Sequence, residues 1–337
     1  MTSSPPDAAN GRRGRRVLVT HHRIDEAGIR LLNENDCDVH FSPPYDPPEV
    51  VAARAADLAV DAIMVRQGRI TAEVINASPR LRVIAKHGVG VDNIDIAAAQ
   101  ARGVPVLRSM GSNSRAVAEH AIALALMQIK EIQPLNAAVK GGAWPKPSFI
   151  GKDFQGATIG LVGYGGIGRE TARMAAALGM EVVVHDPFAP GAPEADGFAT
   201  AADLDAMLPL LDILSLHCPL TAATRGLIDA RRLALMKRSA VLVNTARGGL
   251  VDEAALAEAL AQGRIAGAAL DSFAMEPPPA DSPLWPLATL TATPHIGGVT
   301  AGSARNMALI AARHIIDVLD GEAPDERSLA RPAELSA

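Results

Sequence analysis

The sequence predicts an α/β protein built on two parallel sheets, and three observations carry that prediction. Short β-branched runs alternate with Ala- and Leu-rich helical stretches, the order that makes βαβ units with helices on both faces of a parallel sheet. The runs number eleven, more than one open sheet holds comfortably. The 337 residues suffice for about two domains at roughly 150 residues each. No short-period repeat is present, which excludes a solenoid.

Taken in order, residues 1–16 combine Ser, Pro and Gly with Arg12, Arg13, Arg15 and Arg16 and read as a disordered tail. A transit peptide is also Arg- and Ser-bearing and acid-poor, but this segment is short and lacks an amphipathic apolar face. Val17–Thr20, Val39–Phe41, Ala62–Val65, Arg82–Ala85 and Val104–Leu107 are then the strands of a first segment, 17–108. A polar stretch from Ser109 to Ser114 opens a long helix from Arg115 to about Ile132, capped by Asn113 or Ser114 and with Glu119 in its first turns. Thr158–Val162, Glu181–His185, Ile213–Leu216, Ala240–Asn244, Ile265–Leu270 and Leu290–Ala292 are the strands of a second segment, 109–298. A last helix, Ala301 to Asp320, follows Thr300 and stops at Gly321, and the polar tail after Pro324 reads as frayed. Two long helices bracketing the central segment predict that 109–298 is inserted into a domain made of 17–108 and 299–337, with a ligand in the cleft.

Composition removes whole classes of function. A chain with 48% apolar and 20% charged residues is globular, and its formal charge is −5. With a pI of about 6 it lacks the basic footprint of a nucleic-acid binder. The most apolar stretch, Ala116–Ile132, carries Glu119, His120, Gln128, Lys130 and Glu131 and falls short of the roughly 20 clean residues a membrane span needs. Cys37 and Cys218 stand far apart with no metal-ligand spacing, so neither a disulfide framework nor a zinc site is expected, and a reducing cytoplasm fits best.

The sharpest local signal is Gly163–Tyr164–Gly165–Gly166–Ile167–Gly168, directly after the buried run Thr158–Val162 and directly before a helix, Arg169 to Leu178. Gly163 serves the tight turn, Gly165 the approach of a pyrophosphate, and Gly168 close helix–strand packing, with the Gly166 and Ile167 amides facing the anion. The next run ends in Asp186, near the spacing of about 20 residues at which a carboxylate accepts from the adenosine ribose hydroxyls. Together they imply NAD. The plainer alternative for Asp186 is a turn cap before Pro187.

At this point the chain resembles a known family, the D-isomer-specific 2-hydroxyacid dehydrogenases, over roughly Val17 to Asp320. The resemblance rests on blocks in order: His87-Gly-Val-Gly-Val-Asp-Asn-Ile-Asp95, Val117-Ala-Glu-His120, the glycine loop, His217-Cys-Pro-Leu-Thr221, Asn244-Thr-Ala-Arg-Gly-Gly-Leu-Val-Asp252, Ala269-Leu-Asp-Ser-Phe-Ala-Met-Glu-Pro277 and Pro294-His-Ile-Gly-Gly298. It implies a Rossmann NAD-binding domain inserted into a flavodoxin-like substrate-binding domain, and homodimers paired through the NAD domain.

Three residues carry the expected chemistry. Arg247 follows the buried run ending at Asn244, at the carboxyl end of a strand where open α/β sheets bind ligands. Its planar fork suits a carboxylate, and Gly248 and Gly249 allow close approach. In isolation it is a surface arginine, but the family's matching arginine holds the substrate carboxylate. Hydride transfer at a carbinol needs a proton partner near neutral pH, which histidine supplies. The family's acid–base pair matches His295 and Glu276 position for position, the carboxylate orienting the ring. Formate dehydrogenases of the family have Gln where Glu276 stands. The resemblance further places Cys218, Pro219 and Thr224 along the adenosine, Thr245 and Ala246 near the nicotinamide ribose, Asp271 at the carboxamide, and Gly298 with His295 near the ring. It makes Cys218 a packing contact and not a nucleophile.

Lys86, His87, Gly88, Val89 and Gly90 follow a buried strand and offer successive amides as an anion nest for the substrate carboxylate. Lys86 and His87 are equally readable as solvated. Arg66, in Val65-Arg-Gln-Gly-Arg69, resembles the segment supplying phosphate-binding arginines in phosphoglycerate dehydrogenase, with altered spacing. The tail after His295 is too short for the regulatory domain many of those enzymes append. The expected activity is NAD-dependent hydride transfer on a small-molecule D-2-hydroxy or 2-oxo acid, possible substrates including acids with a second anionic group: 3-phosphoglycerate-, sulfolactate- or hydroxypyruvate-like. The alternative is an NAD(H)-sensing, corepressor-like binding protein on the same fold.

Overall fold

The computed structural model describes residues 14–331, which divide into two compact units. The first comprises 14–112 and 304–331, the second 113–303. Ser109, read from sequence as the start of the second segment, belongs to the first unit. It is fully buried, and its hydroxyl donates to the carbonyls of Lys86 at 2.8 Å and Met307 at 3.3 Å.

The first unit holds β1 (Arg15–Val19), β2 (Cys37–Phe41), β3 (Ala62–Val65), β4 (Val83–Lys86) and β5 (Val106–Arg108). They form one parallel sheet in the order β2-β1-β3-β4-β5, the flavodoxin-like arrangement. β3 is buried along its whole length, as strands covered on both faces are. On one face Val17, Val19, Met64 and Ala85 pack with Ala308, Ala312, Ile315 and Ile316 of the helix Ala301–Asp320. On the other Leu18, Ile63 and Ile84 pack with Val51, Ala55, Val74 and Ile75. Each Val, Leu, Ile or Met among them contributes about 1.5–3 kcal/mol on burial.

Two expectations for the chain ends are corrected. Arg15 and Arg16, assigned to the disordered tail, begin β1: the Arg15 guanidinium pairs with Asp320 at 2.5 Å and the Arg16 amide donates to Asp61 at 2.9 Å. Residues 1–13 of that tail, with any reading of it as a transit peptide, lie outside the described residues. The segment after Pro324 is not frayed up to Arg331: Arg108 donates to the Ser328 carbonyl, Ala330 donates to the Val106 carbonyl, both at 2.8 Å, and Leu329 bridges Leu107 antiparallel.

The second unit holds β6 (Thr158–Val162), β7 (Glu181–His185), β8 (Ala199–Thr200), β9 (Ile213–Leu216), β10 (Val241–Asn244), β11 (Gly267–Leu270) and β12 (Leu290–Ala292). All pairings are parallel, in the order β12-β11-β10-β9-β6-β7-β8. The order reverses between β6 and β9, the switch point of a Rossmann sheet. The edge strand β8 was not expected from sequence, because its two residues are exposed and carry no apolar alternation. The helix expected to reach Ile132 spans Ser114–Ile129, and a separate helix, Ile132–Lys140, follows after a left-handed residue, Glu131. Asn113 precedes the first of these without a capping side-chain hydrogen bond. Among the described residues no helix is long and apolar enough to cross a membrane.

Candidate active site

In the second unit the glycine loop leaves β6 at the switch point. Gly163 has φ +100°, and a Cβ on it would stand 2.7 Å from the Cys218 amide nitrogen and the His217 carbonyl carbon, so the loop runs against the backbone leaving β9. A Cβ on Gly168 would overlap the Gly163 carbonyl, which seats the helix Gly166–Ala177 on that turn. At Gly165 an added Cβ meets only open space, so nothing of the protein demands glycine there and the room is on the ligand side. The Gly166 and Ile167 amides lie in the first turn of a twelve-residue helix, where unpaired N–H groups and the macrodipole favour an anion. Tyr164 turns inward, with its hydroxyl donating to Asp196 at 2.8 Å and its ring edge-on to Phe198, which explains an aromatic inside the loop.

Asp186, past the end of β7, accepts from the Tyr164 amide at 2.6 Å and the Phe188 amide at 2.8 Å. The carboxylate therefore caps the turn and braces the glycine loop at once, a role sequence reasoning had set apart from ribose binding. Each oxygen keeps a lone pair for a further donor. Burial pushes the Cys218 thiol up to about 11, so it is neutral at pH 7 and no nucleophile. Thr224 closes the turn at Pro219, donating to its carbonyl at 2.7 Å and accepting from the Thr221 amide at 2.8 Å. The Ala246 amide donates to Asn244 at 3.0 Å, whereas the buried Thr245 hydroxyl has no protein partner. A Cβ on Gly298 would come within 2.7 Å of the Asn113 amide nitrogen, and the Asn113 side-chain oxygen is buried without a partner. The glycine cradle, the helix start and the orphaned Thr245 hydroxyl fit a dinucleotide.

Arg247 follows β10 in extended conformation, its guanidinium donating to the Ala246 carbonyl at 2.8 Å. A Cβ on Gly248 would overlap the Phe273 carbonyl group, so the Arg247 loop and the loop carrying Glu276 touch backbone to backbone. Glu276 accepts from the Phe273 amide at 3.0 Å, and its two oxygens stand 2.9 and 2.8 Å from His295 Nδ1. Burial raises the Glu276 carboxyl, but hydrogen bonds from His295 and Phe273 and the charges of His295 and Arg247 outweigh it and hold it below the usual range. The group is thus ionised throughout neutral pH. The pair is complete above the ordinary Glu value of about 4.3 and is lost only as pH falls through the lowered value. The side chains of His295 and Glu276 are 43% and 39% exposed. With Nδ1 engaged by Glu276, Nε2 is the ring nitrogen left for another partner.

Asp271, expected at the carboxamide, is held by the protein's own donors. It is buried, and its oxygens take Thr293 Oγ1 at 2.6 Å, the Ile296 amide at 2.9 Å and the Gly297 amide at 2.8 Å. Thr293 and its neighbour His120 were missed by sequence reasoning, although His120 stood in a family-like block.

In the first unit, the ends of β1 and β3, which flank that sheet's switch point, and of the next strand β4 gather His21, Arg66, Lys86 and His87. Arg66 donates to the Arg23 carbonyl at 3.1 Å, with His21 Nδ1 at 3.5 Å, and Lys86 donates to Asn93 at 2.8 Å. His87 is 5% exposed with Nε2 unpartnered, and burial, with Arg66 nearby, lowers it to about 4, so it is neutral at pH 7. One part of the expected nest is corrected: the His87 amide donates to the Val65 carbonyl at 2.9 Å, extending the β3–β4 ladder, and is spent. Gly88, at φ +144°, turns the chain toward Val89 and Gly90.

Comparison with known proteins follows the same lines. Residues 122–297 match the family described as D-isomer specific 2-hydroxyacid dehydrogenase, NAD binding domain. The chain is 42% identical over 288 residues to the (S)-sulfolactate dehydrogenase of Chromohalobacter salexigens, covering 84% of this chain and 92% of that one. It is 38% identical over 307 residues to the D-3-phosphoglycerate dehydrogenase of Archaeoglobus fulgidus, covering 91% of this chain and 58% of the other. The chain spans about half the length of other phosphoglycerate dehydrogenases it matches. The crystal structure of the TT0316 protein from Thermus thermophilus superposes with a TM-score of 0.85 at 36% identity, covering 94% of this chain and all of that one. A Rossmann sheet with a dinucleotide cradle, a histidine–glutamate pair beside an arginine, and a family match over the same residues lead to one statement: the chain belongs to the D-isomer specific 2-hydroxyacid dehydrogenases.

Proposed function

We propose that this chain is an NAD-dependent oxidoreductase that interconverts a D-2-hydroxy acid and its 2-oxo acid. The observation that carries the reading is His295 Nδ1 held 2.8 Å from Glu276 beside Arg247, with Nε2 left for the substrate oxygen. The glycine loop and the first turn of the helix Gly166–Ala177 would hold NADH, which when bound would supply the hydride for C2. Protonated His295 donates from Nε2 to the carbonyl oxygen, the Glu276 carboxylate fixes the ring and stabilises its charge, and the Arg247 fork holds the substrate carboxylate. Oxidation runs the same groups in reverse, starting from neutral His295. The names of the sulfolactate and phosphoglycerate relatives support an acid with a second anionic group.

Asp186 sets the coenzyme. A 2′-phosphate at its carboxylate meets a like charge, and Pro187 and Phe188 offer no arginine to neutralise it. Steady-state assay of a panel of 2-oxo acids with NADH and NADPH is expected to give turnover, with NADH preferred by at least about tenfold, or 1.4 kcal/mol. Asp186→Asn, which keeps one acceptor oxygen for the Tyr164 amide, should narrow that ratio. NADH binding without turnover on any acid is the result for a corepressor-like sensor and would overturn the reading, while equal coenzyme constants would remove Asp186 from ribose recognition.

We also infer a homodimer through the NAD-binding unit, in the cytoplasm, the latter supported by two free cysteines. The helix Ile132–Lys140 buries none of its residues, and Ile132, Val139, Trp144 and Ile150 are exposed in the segment 132–150. Apolar groups spaced along one segment fit a second copy of the chain. Light scattering should give twice the monomer mass, and a monomer at micromolar concentration would remove the dimer.

A further inference from the structure

His295 has φ +54°, the left-handed region that non-glycine residues rarely occupy. Such a conformation persists only where the surroundings over-determine it. The surroundings here are unusually explicit. Backbone bonds tie Thr293 to the end of β11, its amide donating to the Leu270 carbonyl at 2.9 Å, and the His295 amide turns back to the Thr293 carbonyl at 3.0 Å. The buried Asp271 carboxylate then grips both sides of the turn: Thr293 Oγ1 before Pro294 and His295, and the Ile296 and Gly297 amides after them.

The direction of the Thr293 hydroxyl follows from this. At 2.6 Å from a carboxylate oxygen its proton points to Asp271, so its lone pair accepts from His120, whose Nε2 stands 3.1 Å away. His120 Nε2 is also 3.5 Å from Asp271 Oδ1. A Cβ on Gly297 would come within 2.9 Å of Asp271 Oδ2 and 3.2 Å of His120 Cδ2, so the turn is closed against both side chains. We propose that Thr293 is a positioning residue which, linking His120 to Asp271, holds the backbone at His295 in its left-handed conformation and thereby aims Nε2 at the reacting oxygen. The inference rests on His295 being the acid–base group.

Thr293→Val keeps the shape and removes the hydroxyl; Thr293→Ser restores it. In the full chain Thr293→Val should lower kcat by tens of fold, toward the roughly 10²-fold that a misplacement of about 1 Å costs. KM for NADH should stay within a few-fold, and Thr293→Ser should recover kcat. A second readout needs no turnover: the ring nitrogen NMR shifts of His295, assigned by their loss in His295→Asn, should move in Thr293→Val and return in Thr293→Ser. Unmoved shifts, or an unchanged kcat, overturn the proposal. If Thr293→Val does not fold, the same readouts on His120→Leu decide in the same way. A wild-type chain inactive on every acid while the His295 shifts still respond would refute the enzymatic reading and leave the clasp standing.

Discussion

His295→Asn is expected to lose between about 10² and 10⁴ of its turnover, the range for general acid–base catalysis, while NADH affinity changes little. The choice of asparagine follows from the backbone: it tolerates the left-handed region better than other residues, and so it keeps the φ of +54° found at this position. Its amide can face Glu276, but it cannot carry a proton to the substrate oxygen near neutral pH. Because the Gly166–Ala177 helix start and Asp186 are untouched, cofactor binding is separable from the chemical step. Single-turnover hydride transfer at saturating NADH is the measurement. Rates within a few-fold of wild type would take His295 out of the role.

Arg247→Lys is expected to lower the specificity constant for 2-oxo acids by the scale of a hydrogen bond to a charged group, about 1.5–3 kcal/mol, or roughly ten- to a hundredfold. The positive charge remains, so the influence of Arg247 on Glu276 remains too, and the pair with His295 is preserved. What is lost is the planar fork, since an ammonium holds a carboxylate as a point charge. The loss belongs to substrate binding in the transition state, with NADH affinity unchanged. An unaltered specificity constant would show that Arg247 does not hold the carboxylate.

The sheets were legible because their strands are covered on both faces, so that runs such as Ala62–Val65 and Val241–Asn244 contain nothing but buried residues in the structure. Where that cause is missing the signal is missing. β8 is two exposed residues, and the helix Ile132–Lys140 buries no side chain. Arg15, Arg16 and the residues after Pro324 look like tail because their ordering comes from distant partners, Asp320 and Asp61 in one case and β5 in the other. The candidate site divides the same way. The glycine loop and Asp186 are a local pattern, whereas Glu276 and His295 are joined only by folding and were reached through family resemblance. The clasp of His120, Asp271 and Thr293 was not legible as a unit: His120 and Asp271 stand in family-like blocks, Thr293 alone is an ordinary polar side chain, and only the fold places the three within hydrogen-bonding distance.

The segment that returns to β5 also decides what that sheet can do to other molecules. β5 is the last strand in its order, and an edge strand with unpaired backbone groups is a template on which a foreign strand can add. Here the outward-facing groups are already spoken for: the Arg108 amide by Ser328 and the Val106 carbonyl by Ala330, with both of those residues buried. The chain thus closes its own edge with a short antiparallel strap, and the first sheet offers β5 no vacancy for aggregation.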